Sequence, residues 1–145
     1  MENTQETAIA TVEKEESLNL MGEQKASFTS LRNETNEEKQ IMYKAMSNPD
    51  KRLGDCINQV IYAKDLFMEM VDMTNEETGE ITTCPRIVIV DKDGVSYQSV
   101  SFGIYNALKR VIQVFGSPTW RQPIPLKVIQ VTRKEKKMLS LDVQF

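Results

Sequence analysis

The chain has 145 residues, 40% of them apolar and 27% charged, with a formal net charge of -3, two cysteines and no histidine. That length suits one domain with tails. No run of about 18 apolar residues offers a membrane span, and the opening MENTQETAIATVEKEES lacks the basic start and apolar stretch of a secretory signal, so the cytoplasm is the expected compartment.

The net charge hides an asymmetry. Residues 1 to 80 carry 8 Lys/Arg against 17 Asp/Glu, whereas residues 81 to 145 carry 10 against 4. A basic body facing a polyanion beside an acidic tail fits this, and so does a chance difference between exposed faces. Cys56 and Cys84, with no third cysteine and no histidine, leave zinc short of its usual ligands, so no metal or cofactor is expected.

In chain order, residues 1 to 26 hold six acidic residues, two lysines and only scattered apolar positions such as Ile9, Val12, Leu18 and Leu20. Such a composition buries too little surface to offset ordering entropy, which predicts a flexible acidic N-terminal arm followed by a domain over residues 27 to 145. ASFTSL (26 to 31) suits a first strand, and Lys39–Met46 fits helix or strand before Asn48-Pro49-Asp50 interrupts it. Residues 56 to 73 fit a helical stripe (Ile57, Val60, Ile61, Lys64, Phe67, Met68, Val71) and also a period of two (Val60, Tyr62, Leu66, Met68, Met70). The polar loop TNEETGE and the β-branched run ITTCPRIVIV after it make a long hairpin the economical reading. Pro85 cannot donate to a ladder and so belongs on an edge or bulge.

Asp91-Lys92-Asp93-Gly94 returns that strand into Val95–Val100. As a calcium loop it fails, because Val95, Ser96 and Phe102 fall where oxygen ligands and the loop glycine are needed. Asp-Gly between β-branched runs is hairpin chemistry instead. Helical spacing of Ile104, Tyr105, Leu108, Val111, Ile112 and Phe115 predicts a helix with Ser99 or Ser101 as N-cap and Gly116 as stop, its aromatic residues Phe102, Tyr105 and Phe115 in the core. A proline-rich connection, SPTWRQPIP, leads to LKVIQVT and MLSLDVQF, joined by the basic turn RKEKK. Strands, one helix and a last hairpin predict a mainly β fold, a small five-stranded antiparallel Greek-key barrel of the OB type with one α-helix.

Catalysis is not advertised: there is no histidine, no glycine-rich phosphate loop and no nucleophile motif, so no catalytic residue is named and no enzyme is expected. Basic and aromatic residues interleave instead. Tyr62 and Lys64 share one face if their segment is a strand, Tyr97 lies on the return strand, Trp120-Arg121 sits in the proline-rich connection, and Arg133, Lys134, Lys136 and Lys137 crowd one turn. Aromatic planes stack on bases, at about 1–3 kcal/mol each, while cations track phosphates. The competing reading of each is structural: Trp120 as a packed side chain, the lysine-rich turn as a solvated edge, the eight methionines as core filler.

LGDCINQVIYAKDLFMEMVDMTNEETGE, CPRIVIVDKDGVSYQSVSFGIYNALKRVI, FGSPTW and PLKVIQV together resemble the small single-stranded-DNA-binding proteins encoded by bacteriophages, over roughly residues 50 to 143. The resemblance implies an OB-fold protein that coats single-stranded DNA without sequence preference during phage replication or recombination, inside a bacterial host and without a cofactor. The contacts expected from chemistry are Tyr62, Lys64, Arg86, Tyr97, Trp120, Arg121, Lys127, Arg133, Lys134, Lys136 and Lys137. The acidic arm is expected to reach phage replication or recombination proteins or to shield the basic groove, and exposed hairpin edges point to homo-oligomers. A second reading makes the chain a protein-interaction module working through an exposed β-edge and the arm.

Overall fold

The computed structural model describes residues 27–144. Its elements run β1 (Ser27–Thr29), α1 (Asn36–Ser47), β2 (Lys51–Arg52), a 3-10 turn (Leu53–Asp55), β3 (Val60–Thr74), β4 (Ile81–Asp91), β5 (Ser96–Ser99), α2 (Phe102–Phe115), β6 (Ile124–Arg133) and β7 (Lys136–Val143). The expectations for the arm over 1–26 and for Phe145 lie outside the described residues.

Local chemistry accounts for the helix ends. The Thr35 hydroxyl accepts from the Glu38 N–H while the Glu38 carboxylate accepts from the Thr35 N–H, both at 3.0 Å, a capping box that decides Lys39–Met46 in favour of helix. Ser101, not Ser99, caps α2, its hydroxyl accepting from the Gly103 and Ile104 N–H groups. Gly116 closes that helix with φ 85°, a conformation that favours glycine.

β3 is the strand on which the sheet is organised. One side of it pairs with β4 from Ala63 to Thr74. The other pairs first with β6, Val60 opposite Lys127 through Ala63 opposite Ile124, and then with β1 at Phe67–Glu69. Between Ala63 and Asp65 the register shifts, leaving Lys64 as an extra residue in a bulge. The bulge reverses which side chains face inward. Ile61, Ala63 and Leu66 then join one core and Phe67 another, which is why this segment shows two periodicities and obeys neither.

The main core gathers Ile61, Ala63 and Leu66 with Ile87 and Ile89 of β4, Tyr97 of β5, Leu126 and Val128 of β6, and Ile104, Leu108 and Val111 of α2. Contributions from β3 to β6 and α2, with Leu139 and Leu141 of β7 packed against them, mean that the sheet curls around its inner face. Burial of each large aliphatic side chain there stabilises the fold by about 1.5–3 kcal/mol. A smaller core on the outer face sets Ile41 and Ala45 of α1 against Phe67, Val88 and Val90. Asp50 ties the end of α1 to β5, accepting from the Ser96 N–H at 3.0 Å and hydroxyl at 3.1 Å and pairing with Lys44. Burial works to raise its pKa, but the Lys44 ammonium and the two Ser96 donors outweigh that and hold the carboxyl below its usual value.

The sheet path is β2-β5-β4-β3-β6-β7, with β1 attached to β3 outside it. This is a mainly β, curled and open sheet with two helices, consistent with an OB-type domain. Three details differ from the expected five-stranded antiparallel barrel with one helix. Among the described residues there are seven strands, α1 is a second helix, and β2 pairs with β5 in parallel. Two-residue β2 and three-residue β1 are too short to register as alternating patterns. The hairpin reading of residues 56–73 holds, and Pro85 lies where β4 has β3 on one side and no β5 on the other, since β5 pairs only with Ile87–Val90.

α2 is held close to β7. A Cβ on Gly103 would fall 2.0 Å from the Leu139 carbonyl oxygen, so only glycine allows this approach. Phe102 and Phe115, expected in the core, are instead exposed, and Phe102 stacks edge-on against Tyr105. Met46, Met73 and Met138 are likewise exposed rather than core filler.

Candidate nucleic-acid interface

Cross-strand partners share a face, so the register dictates which side chains assemble. Val60 opposite Lys127 and Tyr62 opposite Pro125 line one outer stripe. Along β6 and β7 the stripe continues through Lys127 opposite Asp142, Ile129 opposite Ser140, Val131 opposite Met138 and Arg133 opposite Lys136. From Lys127 to Arg133 it covers roughly 20 Å at about 3.4 Å per residue. Tyr62 is 47% exposed at its centre. The Lys92 ammonium, carried by the Asp91–Gly94 turn, sits 6.0 Å from the Tyr62 ring centroid.

Beyond Tyr62 the stripe opens into a cleft of about 530 Å³, lined by Arg32, Lys64, Lys92 and Arg121 together with Glu38, Asp65 and Asp91. Its carboxylates are engaged by neutral donors. Glu38 serves the capping box, Asp65 accepts from the Ser30 and Thr119 hydroxyls, and Asp91 accepts from the Asp93 and Val95 N–H groups and the Tyr97 hydroxyl. Among the described residues no ion pair engages Arg32, Lys64 or Arg121, so the cleft offers free cations on a floor of occupied acids.

Two expected contacts lie inside the fold. Tyr97 is 9% exposed and Trp120 is 5% exposed, both in the main core. Burial first, and the Asp91 carboxylate second, push the Tyr97 phenol up to about 12. Its hydroxyl donates to Asp91 at 3.1 Å, which braces the hairpin turn, and its ring, expected to stack, is left little open surface. Trp120 donates its indole N–H to the Gly116 carbonyl at 2.9 Å and its backbone N–H to the Lys64 carbonyl at 3.0 Å. The second bond ties the connection before β6 to the bulge that carries Lys64.

The remaining expected residues divide. Tyr62, Lys64, Arg121, Lys127, Arg133 and Lys136 are brought onto the stripe and cleft. Lys137 pairs with Thr132 on the alternate register, and Lys134 stands in the turn. Arg86 is held apart, ion-paired to Glu69 at 3.2 Å and lying 5.9 Å from the Phe67 ring centroid. Sequence reasoning passed over Lys92 and Arg32. A lysine inside a hairpin turn next to a tyrosine-bearing strand is a signal for the first; the second sits in a connection with no motif around it.

Among the described residues no three His, Cys, Asp or Glu side chains gather as a metal site, and no helix is long and apolar enough to cross a membrane. The family model described as phage single-stranded DNA-binding protein, of the Phi29 type, matches residues 21–144. No curated protein and no solved structure matches the chain. The chain belongs to that phage family, and it is a non-catalytic single-stranded-DNA-binding protein.

Proposed function

We propose that this single-stranded-DNA-binding protein holds its ligand on the outer stripe and in the cleft, with Tyr62 stacking on a base and Lys64, Lys92, Arg121, Lys127, Arg133 and Lys136 meeting phosphates. The carrying observation is the alignment of Tyr62 with Lys127 on one face, with the Lys92 ammonium beside the ring. A cation next to an exposed tyrosine suits a nucleotide, whose base takes the ring face while its phosphate takes the charge. A ring that stacks accepts any base and a phosphate carries no sequence, which supports binding without sequence preference. Arg32, which makes no ion pair among the described residues, extends the phosphate track.

In this reading β3 to β7 with α2 form the five-stranded OB core, in the order β5-β4-β3-β6-β7 with the helix between β5 and β6, and β1, β2 and α1 are additions to it. Residues 27–145 are the DNA-binding domain. The acidic residues 1–26 compete with DNA for the basic stripe or reach other phage replication or recombination proteins. The protein coats and protects single-stranded DNA in the bacterial cytoplasm.

Anisotropy titration of a labelled oligo(dT) against the full chain tests the site. Affinity falls steeply with salt, by a slope near the number of phosphates neutralised, and Lys127→Ala lowers that slope by about 1. Binding that is unaltered when Lys64, Lys127 and Arg121 are each replaced by Ala excludes the stripe as the contact surface.

A further inference from the structure

The two long hairpins leave the sheet at opposite ends and carry opposite charge. β3 and β6 are antiparallel, with Val60 opposite Lys127. From that pair β3 runs to Thr74, up to roughly 45 Å along its curving path, while β6 runs the other way to Arg133, roughly 20 Å. β1 pairs with β3 only as far as Glu69, and β5 with β4 only from Ile87, so residues 70–74 and 81–85 pair solely with each other among the described strands. Among the described residues no third strand pairs with this two-stranded arm, and Met73 and Ile81 are exposed.

The arm carries Asp72, Glu76, Glu77 and Glu80, with no Lys or Arg between residues 65 and 85. Its tip is ordered: the Asn75 side chain accepts from the Glu77 and Thr78 N–H groups, and the Thr78 hydroxyl accepts from the Glu80 N–H. At the other end, Arg133, Lys134, Lys136 and Lys137 surround the two-residue turn Lys134–Glu135. Among the described residues Glu76, Glu77, Glu80, Lys134 and Lys137 make no ion pair. Lys134 and Lys137 also lie off the outer stripe.

We infer that the β3–β4 arm of one copy docks on the β6–β7 turn of the next, its acidic tip meeting Lys134 and Lys137. Because the two surfaces project from opposite ends of one sheet, a copy does not satisfy both within itself. Each copy offers one of each, which makes the contact head-to-tail and open-ended, the geometry that repeats along a coated strand. Arg133 and Lys136 stay available to DNA on the stripe. The inference rests on the single-strand-binding reading only for this consequence; the contact itself is between protein copies.

Sedimentation velocity on the full chain without DNA tests it, over a range of concentrations at about 20 mM and about 500 mM salt, where screening differs severalfold. The native chain associates at low salt and separates at high salt. Glu76→Lys/Glu77→Lys/Glu80→Lys and, separately, Lys134→Glu/Lys137→Glu each weaken association at least about tenfold through like-charge contact. An equimolar mixture of the two variants associates again, since each then meets its opposite. A native chain that stays monomeric at low salt, or a mixture that does not associate, overturns the inference. So does an arm variant that still associates while the turn variant does not, which assigns the turn to another acidic segment such as residues 1–26. Binding of the arm variant to an oligo(dT) short enough for one copy stays at least as tight as that of the native chain. A native chain that stays monomeric yet binds oligo(dT) therefore rejects this contact alone, and one that associates yet does not bind oligo(dT) rejects the DNA site alone.

Discussion

Tyr62 and Tyr97 carry the same phenol on two faces of one sheet. Tyr62 stands on the outer face beside Lys92, 47% exposed, with its ring open to a ligand. Tyr97 lies on the inner face, 9% exposed, donating to Asp91 under a Lys51 ammonium 5.8 Å from its ring centroid. The inner face, closed by α2 and β7, converts aromatic and polar groups into scaffold. Among the described residues the outer face is closed where α1 covers Phe67, Val88 and Val90, and beyond that cover Tyr62 stays exposed. Chemistry alone therefore does not separate an exposed tyrosine from a structural one in this protein; the face does.

The comparison breaks most severely if the inner face is forced apart. Gly103→Ala places a methyl against the Leu139 carbonyl and requires α2 or β7 to move, for an expected loss of about 3 kcal/mol or more in thermal or denaturant unfolding. An unchanged melting curve would show that α2 does not close the core as described. On the outer face Tyr62→Ala costs about 1–3 kcal/mol of oligo(dT) affinity, while unfolding stability moves by no more than about 0.5 kcal/mol.

Tyr97→Phe gives the converse result. It removes one hydrogen bond and costs about 1 kcal/mol of stability, with oligo(dT) affinity unaltered. pH sharpens the contrast. The folded phenol titrates near 12 against 10.0 for the free side chain, so the stability it contributes is whole below pH 10 and is lost as pH rises toward 12. Alkaline unfolding curves of Tyr97→Phe lack that part of the decline, and identical curves for the two proteins would remove the shift as a stability term. The smallest effect belongs to the basic turn, where Lys134 and Glu135 both hold left-handed backbone at φ 49° and 67°. Glu135→Gly relieves one of these and raises stability by about 0.5–1 kcal/mol without disturbing the stripe.

Much of this arrangement was legible along the chain. The Asp91–Gly94 turn follows from Asp-Gly between β-branched runs, and Gly94 takes φ 84° as that turn requires. The span of α2 follows from its spacing and cap, and the β6–β7 hairpin from its alternation. The periodicity of Lys39–Met46 left helix or strand open for α1, and the capping box of Thr35 and Glu38 decides it. β1 and β2 were not legible, because strands of three and two residues take their identity from the strands that receive them.

The candidate site divides along the same line. Residue type and local order were enough to select Tyr62, Lys64, Arg121 and Lys127 as groups suited to a single strand, and to mark the second half of the chain as basic. They could not separate Tyr62 from Tyr97, detach Arg86 into its pair with Glu69, or draw Arg32 and Lys92 to the cleft. Those outcomes depend on one extra residue at Lys64, which inverts the inward set of β3, and on pairings between segments dozens of residues apart. Local sequence determines which chemistry each segment carries and where each turn falls, because those preferences act over a few residues. Only the tertiary register decides which face that chemistry occupies, because a shift of one position exchanges core for surface.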